Sequence, residues 1–193
     1  MSSKEETQYY PESRKDWRNW LVKNHNTRQS VWLIFYKKNS NKYSISWSEA
    51  VDEALCFGWI DSKKQTIDQY SYRQYFSQRK PNSTWSKVNK EKVIQLIEDG
   101  LMTESGLQSV RIAKQNGSWT ILDQIEQLNI PDDLQLALES KRNALEYFES
   151  LNKSRKKLLL YWVISAKRQE TRTKRINIIA ESLAKTQMPK QFE

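Results

Sequence analysis

Cysteine, histidine, glycine and proline are all scarce in this chain of 193 residues: one Cys, one His, four Gly and four Pro. A single Cys cannot close an intramolecular disulfide, and one Cys with one His does not build a zinc centre. No metal site and no cofactor is therefore expected. G-x-G never occurs, and there is no P-loop, so neither nucleotide-binding fingerprint is present. A serine hydrolase triad would have to use His25, and nothing next to it in the sequence suggests a partner. His25 reads as a surface or capping residue. No apolar run approaches the ~20 residues that span a bilayer. The opening M-S-S-K-E-E-T-Q has no apolar core of a signal peptide, so a cytoplasmic protein without a membrane span is expected. The few Gly and Pro also argue against long disordered linkers.

Aromatic rings and positive charge are abundant. Eight Trp, nine Tyr and five Phe supply a large apolar area for a core. Net charge is +9 and unevenly spread. Residues 63–92 carry eight basic and two acidic side chains, 100–152 four and eight, and 153–193 eleven and three. Two basic regions flank an acidic middle. Such regions either attract an anionic partner or simply solvate the surface.

Punctuation and periodicity give the order of elements. Pro11 opens a helix carrying Trp17, Trp20 and Leu21, which ends by Asn24–Thr27. Val31–Lys38 is β-branched and aromatic on both faces, as in a strand covered on two sides. Tyr43–Trp47 reads as a short strand. Ser48 reads as the N-cap of a helix that buries Ala50, Val51, Ala54 and Leu55 and stops at Gly58. Trp59–Ser62 and Tyr70–Gln78 follow as strands. Asn89 is expected to cap a helix presenting Val93, Leu96 and Ile97 inward, with Gly100 as its stop. Further helices are expected over Glu104–Gln115, from Trp119 to Leu128, after Pro131 and over Ala144–Leu151. Ser154–Lys167 and Thr171–Lys185 would form a final hairpin, each helix opened by a Ser or Thr cap.

The fold class is thus α+β, with a small antiparallel sheet and helices in the first half, then an all-helical half ending in a basic hairpin. The expected organisation is a flexible leader over 1–10, a sheet region over 11–80, and a helical region over 81–193. The helical region is expected to form one compact unit with the sheet, with its last hairpin over 153–186.

Two stretches concentrate chemistry. E-A-L-C-F-G-W-I-D-S-K (53–63) holds Cys56, Trp59 and Asp61, and F-S-Q-R-K-P-N-S-T-W-S-K-V-N (76–89) faces it as a second wall. Cys56 follows the apolar side of a helix and reads as a buried, inert thiol. The candidate ligand site is Trp59, Asp61, Arg79, Ser83, Trp85, Ser86 and Asn89. A helix N-terminus opened by Ser83, Ser86 or Asn89 beside Arg79 would suit a phosphate or carboxylate. The competing reading is internal: Asp61 pairs with Arg79, and the hydroxyls only cap the helix. A weaker candidate surface for nucleic acid is Arg155, Lys156, Lys157, Lys167, Arg168, Arg172, Lys174 and Arg175 on the C-terminal hairpin. Binding there would be sequence-nonspecific and steeply salt-dependent.

E-A-L-C-F-G-W-I-D-S (53–62), R-K-P-N-S-T-W-S-K-V-N (79–89) and I-E-D-G-L-M-T-E-S-G-L (97–107) resemble the YdeI/OmpD-associated, or bacteriocin-protection, family. A-K-R-Q-E-T-R-T-K-R-I (166–176) is similar to its C-terminal helical region. The resemblance runs from about Trp17 to Lys185. It implies an α–β sandwich first half and a role in tolerance of bacteriocins or envelope stress, and it supplies no catalytic residues to carry over. The expectation is a bacterial cytoplasmic protein of antimicrobial stress tolerance, leaning away from an enzyme, that binds an anionic ligand or partner. The alternatives are a small-molecule enzyme using Asp61 as acid/base and Arg79 as anion clamp, or a nonspecific nucleic-acid binder using the hairpin.

Overall fold

The structure, a computed structural model, describes residues 7–192. The chain divides into two compact units, Met1–Trp119 and Thr120–Glu193. The first contains β1 (Gln8–Tyr9), α1 (Arg14–Asn24), β2 (Ser30–Tyr36), α2 (Trp47–Cys56), β3 (Trp59–Thr66), β4 (Ser71–Gln78), α3 (Lys87–Glu98) and α4 (Glu104–Gln115). The four strands form one sheet in the order β1-β2-β4-β3. β2, β4 and β3 pair antiparallel, and β1 joins the edge parallel to β2. Of the leader expected over 1–10, residues 1–6 lie outside the described residues and Gln8–Tyr9 form β1.

The α+β class follows from how these segments bury their faces. Val31, Leu33 and Phe35 of β2 and Phe76 of β4 point to one side of the sheet, where α1 and α2 supply Trp17, Leu21, Ala50, Val51, Ala54 and Leu55. Trp17 is fully buried, stacks on Trp20 at 5.2 Å and meets Phe76 edge-on at 5.6 Å. Each ring buried this way supplies on the order of 4 kcal/mol of gross hydrophobic stabilisation. Its indole N–H donates to the Ala50 carbonyl at 3.0 Å, so the polar end is satisfied. Glu53 is the charged residue of this core. Its carboxylate accepts from Arg14 Nε at 2.5 Å and Arg18 Nη1 at 2.7 Å.

Several boundaries move from the sequence reading, each for a local reason. Tyr43–Trp47 is not a strand. Ser46 caps α2 in a reciprocal capping box with Glu49, so the helix begins at Trp47 rather than after Ser48. Ser86 rather than Asn89 caps α3, and Asn89 N–H donates to the Ser86 hydroxyl. Ile97 of α3 is exposed, leaving Val93 and Leu96 as its buried residues. Pro11 lies ahead of the true cap, Ser13, whose hydroxyl accepts from Asp16 N–H. Gly58 ends the α2 turn at φ +73° and Gly100 ends α3 at φ +67°, the left-handed conformations that glycine adopts without a Cβ penalty.

The second unit holds α5 (Ile121–Glu126), α6 (Asp132–Glu139), α7 (Ala144–Ser150), α8 (Lys153–Ile164), α9 (Gln169–Ala184) and a 3-10 turn at Lys190–Phe192. Its core joins Leu134, Leu138, Phe148, Leu159, Leu160, Val163, Ile179 and Leu183. Asn152 caps α8 by accepting from Arg155 N–H, in place of the expected Ser154. α9 begins after Arg168 without a side-chain cap, in place of Thr171. Arg172 of α9 instead clamps Asp133 of α6 with two hydrogen bonds of 2.6 and 2.7 Å.

Candidate functional site

The α2–β3 corner organises the chemistry of the first unit. The helix ends at Cys56, Phe57 turns the chain, and Gly58 releases it into β3. α4 docks directly on this corner. Thr103, its N-cap, donates both its backbone N–H (3.0 Å) and its hydroxyl (2.7 Å) to the Cys56 carbonyl. Gly106 permits the approach, because a Cβ there would lie 2.3 Å from that same carbonyl oxygen. Cys56 itself is fully buried, and desolvation pushes its thiol up to about 11. It takes no part in a surface site.

Beside the corner lies a cavity of about 210 Å³. One wall is the end of α1 with His25 and Asn26, and another is Phe57, Gly58 and Trp59. Gln78, Arg79, Lys80 and Pro81 line it as β4 runs out, together with Trp85, and α4 contributes Ser105, Gln108, Ser109 and Ile112. The His25 carbonyl is held by two donors, Gln78 Nε2 at 2.7 Å and Trp59 Nε1 at 3.2 Å. The Arg79 N–H donates to the Gly58 carbonyl at 2.9 Å, which ties the basic end of β4 to the corner.

Arg79 is the electrostatic centre of this cavity. Its guanidinium carbon lies 3.7 Å from the centroid of the Trp85 ring. Nη2 donates to the Thr84 carbonyl at 2.7 Å, whereas Nε and Nη1 are buried without a hydrogen-bond partner. Desolvation holds its pKa down to about 10, and the charge of Asp61 opposes this only in part. The group therefore remains a cation at neutral pH, with two donors unused. An unpaired buried donor costs roughly 1–3 kcal/mol, more when charged, so an acceptor that reached Nε or Nη1, neither of which is open to solvent in this arrangement, would stabilise the site.

The candidate residues divide between places. Trp59, Arg79 and Trp85 converge on the cavity. Asp61 lies in a second cleft, of about 340 Å³, with Trp47, Lys64, Tyr72 and Gln74. There its Oδ2 accepts from Trp47 Nε1 at 2.9 Å and Gln74 Nε2 at 2.8 Å. The sheet register shifts between Asp61 and Lys64 at this point. Among the described residues no hydrogen bond or ion pair joins Asp61 to Arg79. Ser83 forms a turn by donating its N–H to the Lys80 carbonyl, Ser86 caps α3, and Asn89 sits in its first turn. None of these three lines the cavity.

His25, read from the sequence as a surface or capping residue, is the C-cap of α1 and also lines the cavity, as does Ser105, which sequence reading did not single out. His25 Nδ1 lies 2.9 Å from the Leu21 carbonyl, and Nε2 lies 3.1 Å from Ser105 Oγ. The two residues are 80 positions apart, so only their individual types were visible in the chain.

On the C-terminal hairpin, Arg172 is bound to Asp133, Lys157 to Glu126, and Arg175 to the Trp162 carbonyl and Ser165. Arg155, Lys167, Arg168 and Lys174 are exposed, and Lys156 is half-buried. Three of the eight candidate cations thus already serve the fold of this unit. No group of three or more His, Cys, Asp or Glu suited to a metal occurs among the described residues, and no described helix is long and apolar enough to cross a membrane.

Residues 9–109, just over half of the chain, match the model of a domain of unknown function (DUF8412), and the chain belongs to that family. Residues 127–186 match the family described as bacteriocin-protection, YdeI or OmpD-associated. The motifs at 53–62, 79–89 and 97–107 fall within the first match and 166–176 within the second. Neither the curated proteins nor the solved structures contain a match.

Proposed function

We propose that the first unit binds a small anion, a carboxylate or phosphate compound, in the cavity at Arg79. The observation that carries this reading is the pair of buried Arg79 N–H groups without acceptors. Trp85 holds the guanidinium plane in place, so Nε and Nη1, whose N–H bonds do not converge on one acceptor group, are each pre-organised for a single hydrogen bond. Lys80 on the same rim adds positive charge. The cavity, of about 210 Å³, has room for a small compound. The bacteriocin-protection description of the family matched by residues 127–186 supports a biological setting of antimicrobial stress tolerance.

The test is titration of the full chain with inorganic phosphate, succinate and pyrophosphate, followed by calorimetry and Trp emission. Saturable binding that Arg79→Gln removes is expected. Absence of saturable heat up to ~10 mM ligand, a level equivalent to roughly 3 kcal/mol of binding, sinks the reading.

A further inference from the structure

We propose that Ser105 and His25 form a nucleophile–base pair that hydrolyses small anionic esters in this same cavity. The substrate's charge rests on the anion reading above, while the pair itself rests on separate geometry. Leu21 O is an acceptor only, so the imidazole nitrogen facing it, Nδ1, carries the hydrogen. In the neutral ring that leaves Nε2 as an acceptor, 3.1 Å from the Ser105 hydroxyl. A hydroxyl held by a base, with the base oriented by a third group, is the arrangement that activates a serine. The distance lies within the reach required of a general base.

The surroundings select Ser105 over its neighbours. Ser109 also lines the cavity, but its hydroxyl donates to the Gly106 carbonyl at 2.7 Å, and its proton is committed there. Ser105 stands in the first turn of α4, where backbone N–H groups lack intrahelical acceptors and favour a developing oxyanion. Its backbone oxygen is 3.0 Å from where a Cβ on Gly58 would sit, and the Gly58 carbonyl in turn holds the Arg79 N–H. The nucleophile and the anion anchor therefore brace one corner. Phe57 fixes the imidazole from the side, ring centroids 5.1 Å apart.

The reaction balances with water as the only co-reactant. Ser105 Oγ bonds to the ester carbonyl carbon as its proton passes to His25 Nε2. The ester C–O bond breaks, and the alcohol leaves with that proton. Water then attacks the acyl-serine with His25 as base, releasing the acid and restoring the hydroxyl. Because a neutral carbonyl replaces the carboxylate of a full triad, the imidazolium gains less stabilisation and slow turnover is expected.

The experiment has two arms on the full chain. In the first, a fluorophosphonate reagent is added and the modified peptide located by mass spectrometry. Modification at Ser105 is expected, absent in Ser105→Ala and ~100-fold slower in His25→Gln, the scale of a general base. Circular dichroism of both variants checks that the fold is retained. In the second, hydrolysis of monomethyl succinate and of neutral methyl butanoate is followed by NMR. The succinate ester should be preferred, and Arg79→Gln should remove the preference by raising KM for that ester. Modification of Ser105 no faster than of Ser109, or hydrolysis unchanged in Ser105→Ala, overturns the pair even if phosphate binds. Rapid Ser105 modification without preference for the charged ester keeps the pair and overturns the anionic substrate class.

Discussion

Arg79 stacks on Trp85 with its guanidinium carbon 3.7 Å from the ring centroid, and it does so without a carboxylate partner. The stack supplies attraction to the cation but no acceptors for Nε and Nη1. Arg79→Lys keeps the charge and loses the fork and the stacked plane, so anion affinity should fall about tenfold. Arg79→Gln should abolish saturable binding. Isothermal titration with phosphate reads both, and equal affinity in wild type and Arg79→Gln would count against the site.

Cys56 should resist thiol reagents. It is fully buried, and burial raises its thiol to about 11, so little thiolate exists at pH 8. Labelling should become fast only in denaturant. The raised value also sets a sign. The folded state holds the thiol proton more tightly than the unfolded state, so this group's contribution is complete below pH 9 and is lost as pH rises through 11. A Cys56→Ala variant should therefore lose less stability than wild type over pH 9–11, measured by urea unfolding.

Glu53 holds the α2 core to two arginines of α1 while almost wholly buried. Glu53→Ala leaves Arg18 facing a carbonyl and an aromatic ring with no counter-charge. A loss of roughly 3 kcal/mol in chemical unfolding of the first unit is expected. A loss below ~0.5 kcal/mol would show that solvent reaches the pair and screens it.

Gly106→Ala should damage both fold and site. Its Cβ would meet the Cys56 carbonyl oxygen at 2.3 Å, a backbone atom that cannot swing aside. α4 must then shift off the corner and carry Ser105 with it. The expected cost is about 1–3 kcal/mol, together with slower phosphonylation of Ser105. Unchanged stability and unchanged labelling would show that α4 seats differently.

Much of the architecture was legible from local chemistry. Gly58 and Gly100 mark two helix ends because left-handed backbone favours glycine, and Cys56 was placed in the core by the apolar spacing of Ala50, Val51, Ala54 and Leu55. The α2 start was legible too, since Ser46 and Glu49 stand at capping-box spacing. Ser48 drew the boundary away because it is an equally good capping residue two positions later. At the C-terminal hairpin the cap signals misled in the same way, with Asn152 preceding Ser154.

The sequence by itself determined the α+β class, the order of most elements, the aromatic core and the basic end of β4. Those depend on residue type and short-range spacing, and both are written in the chain. Only the tertiary structure decided which groups meet. Asp61 pairs opposite Phe76 in the sheet, and its carboxylate accepts from Trp47 and Gln74 rather than from Arg79, whose Nε and Nη1 have no partner. The docking of Thr103 on Cys56 brings Ser105 to His25 across 80 residues. Both depend on side chains satisfying their hydrogen bonds within a packed unit, a condition set by long-range neighbours that no local pattern encodes.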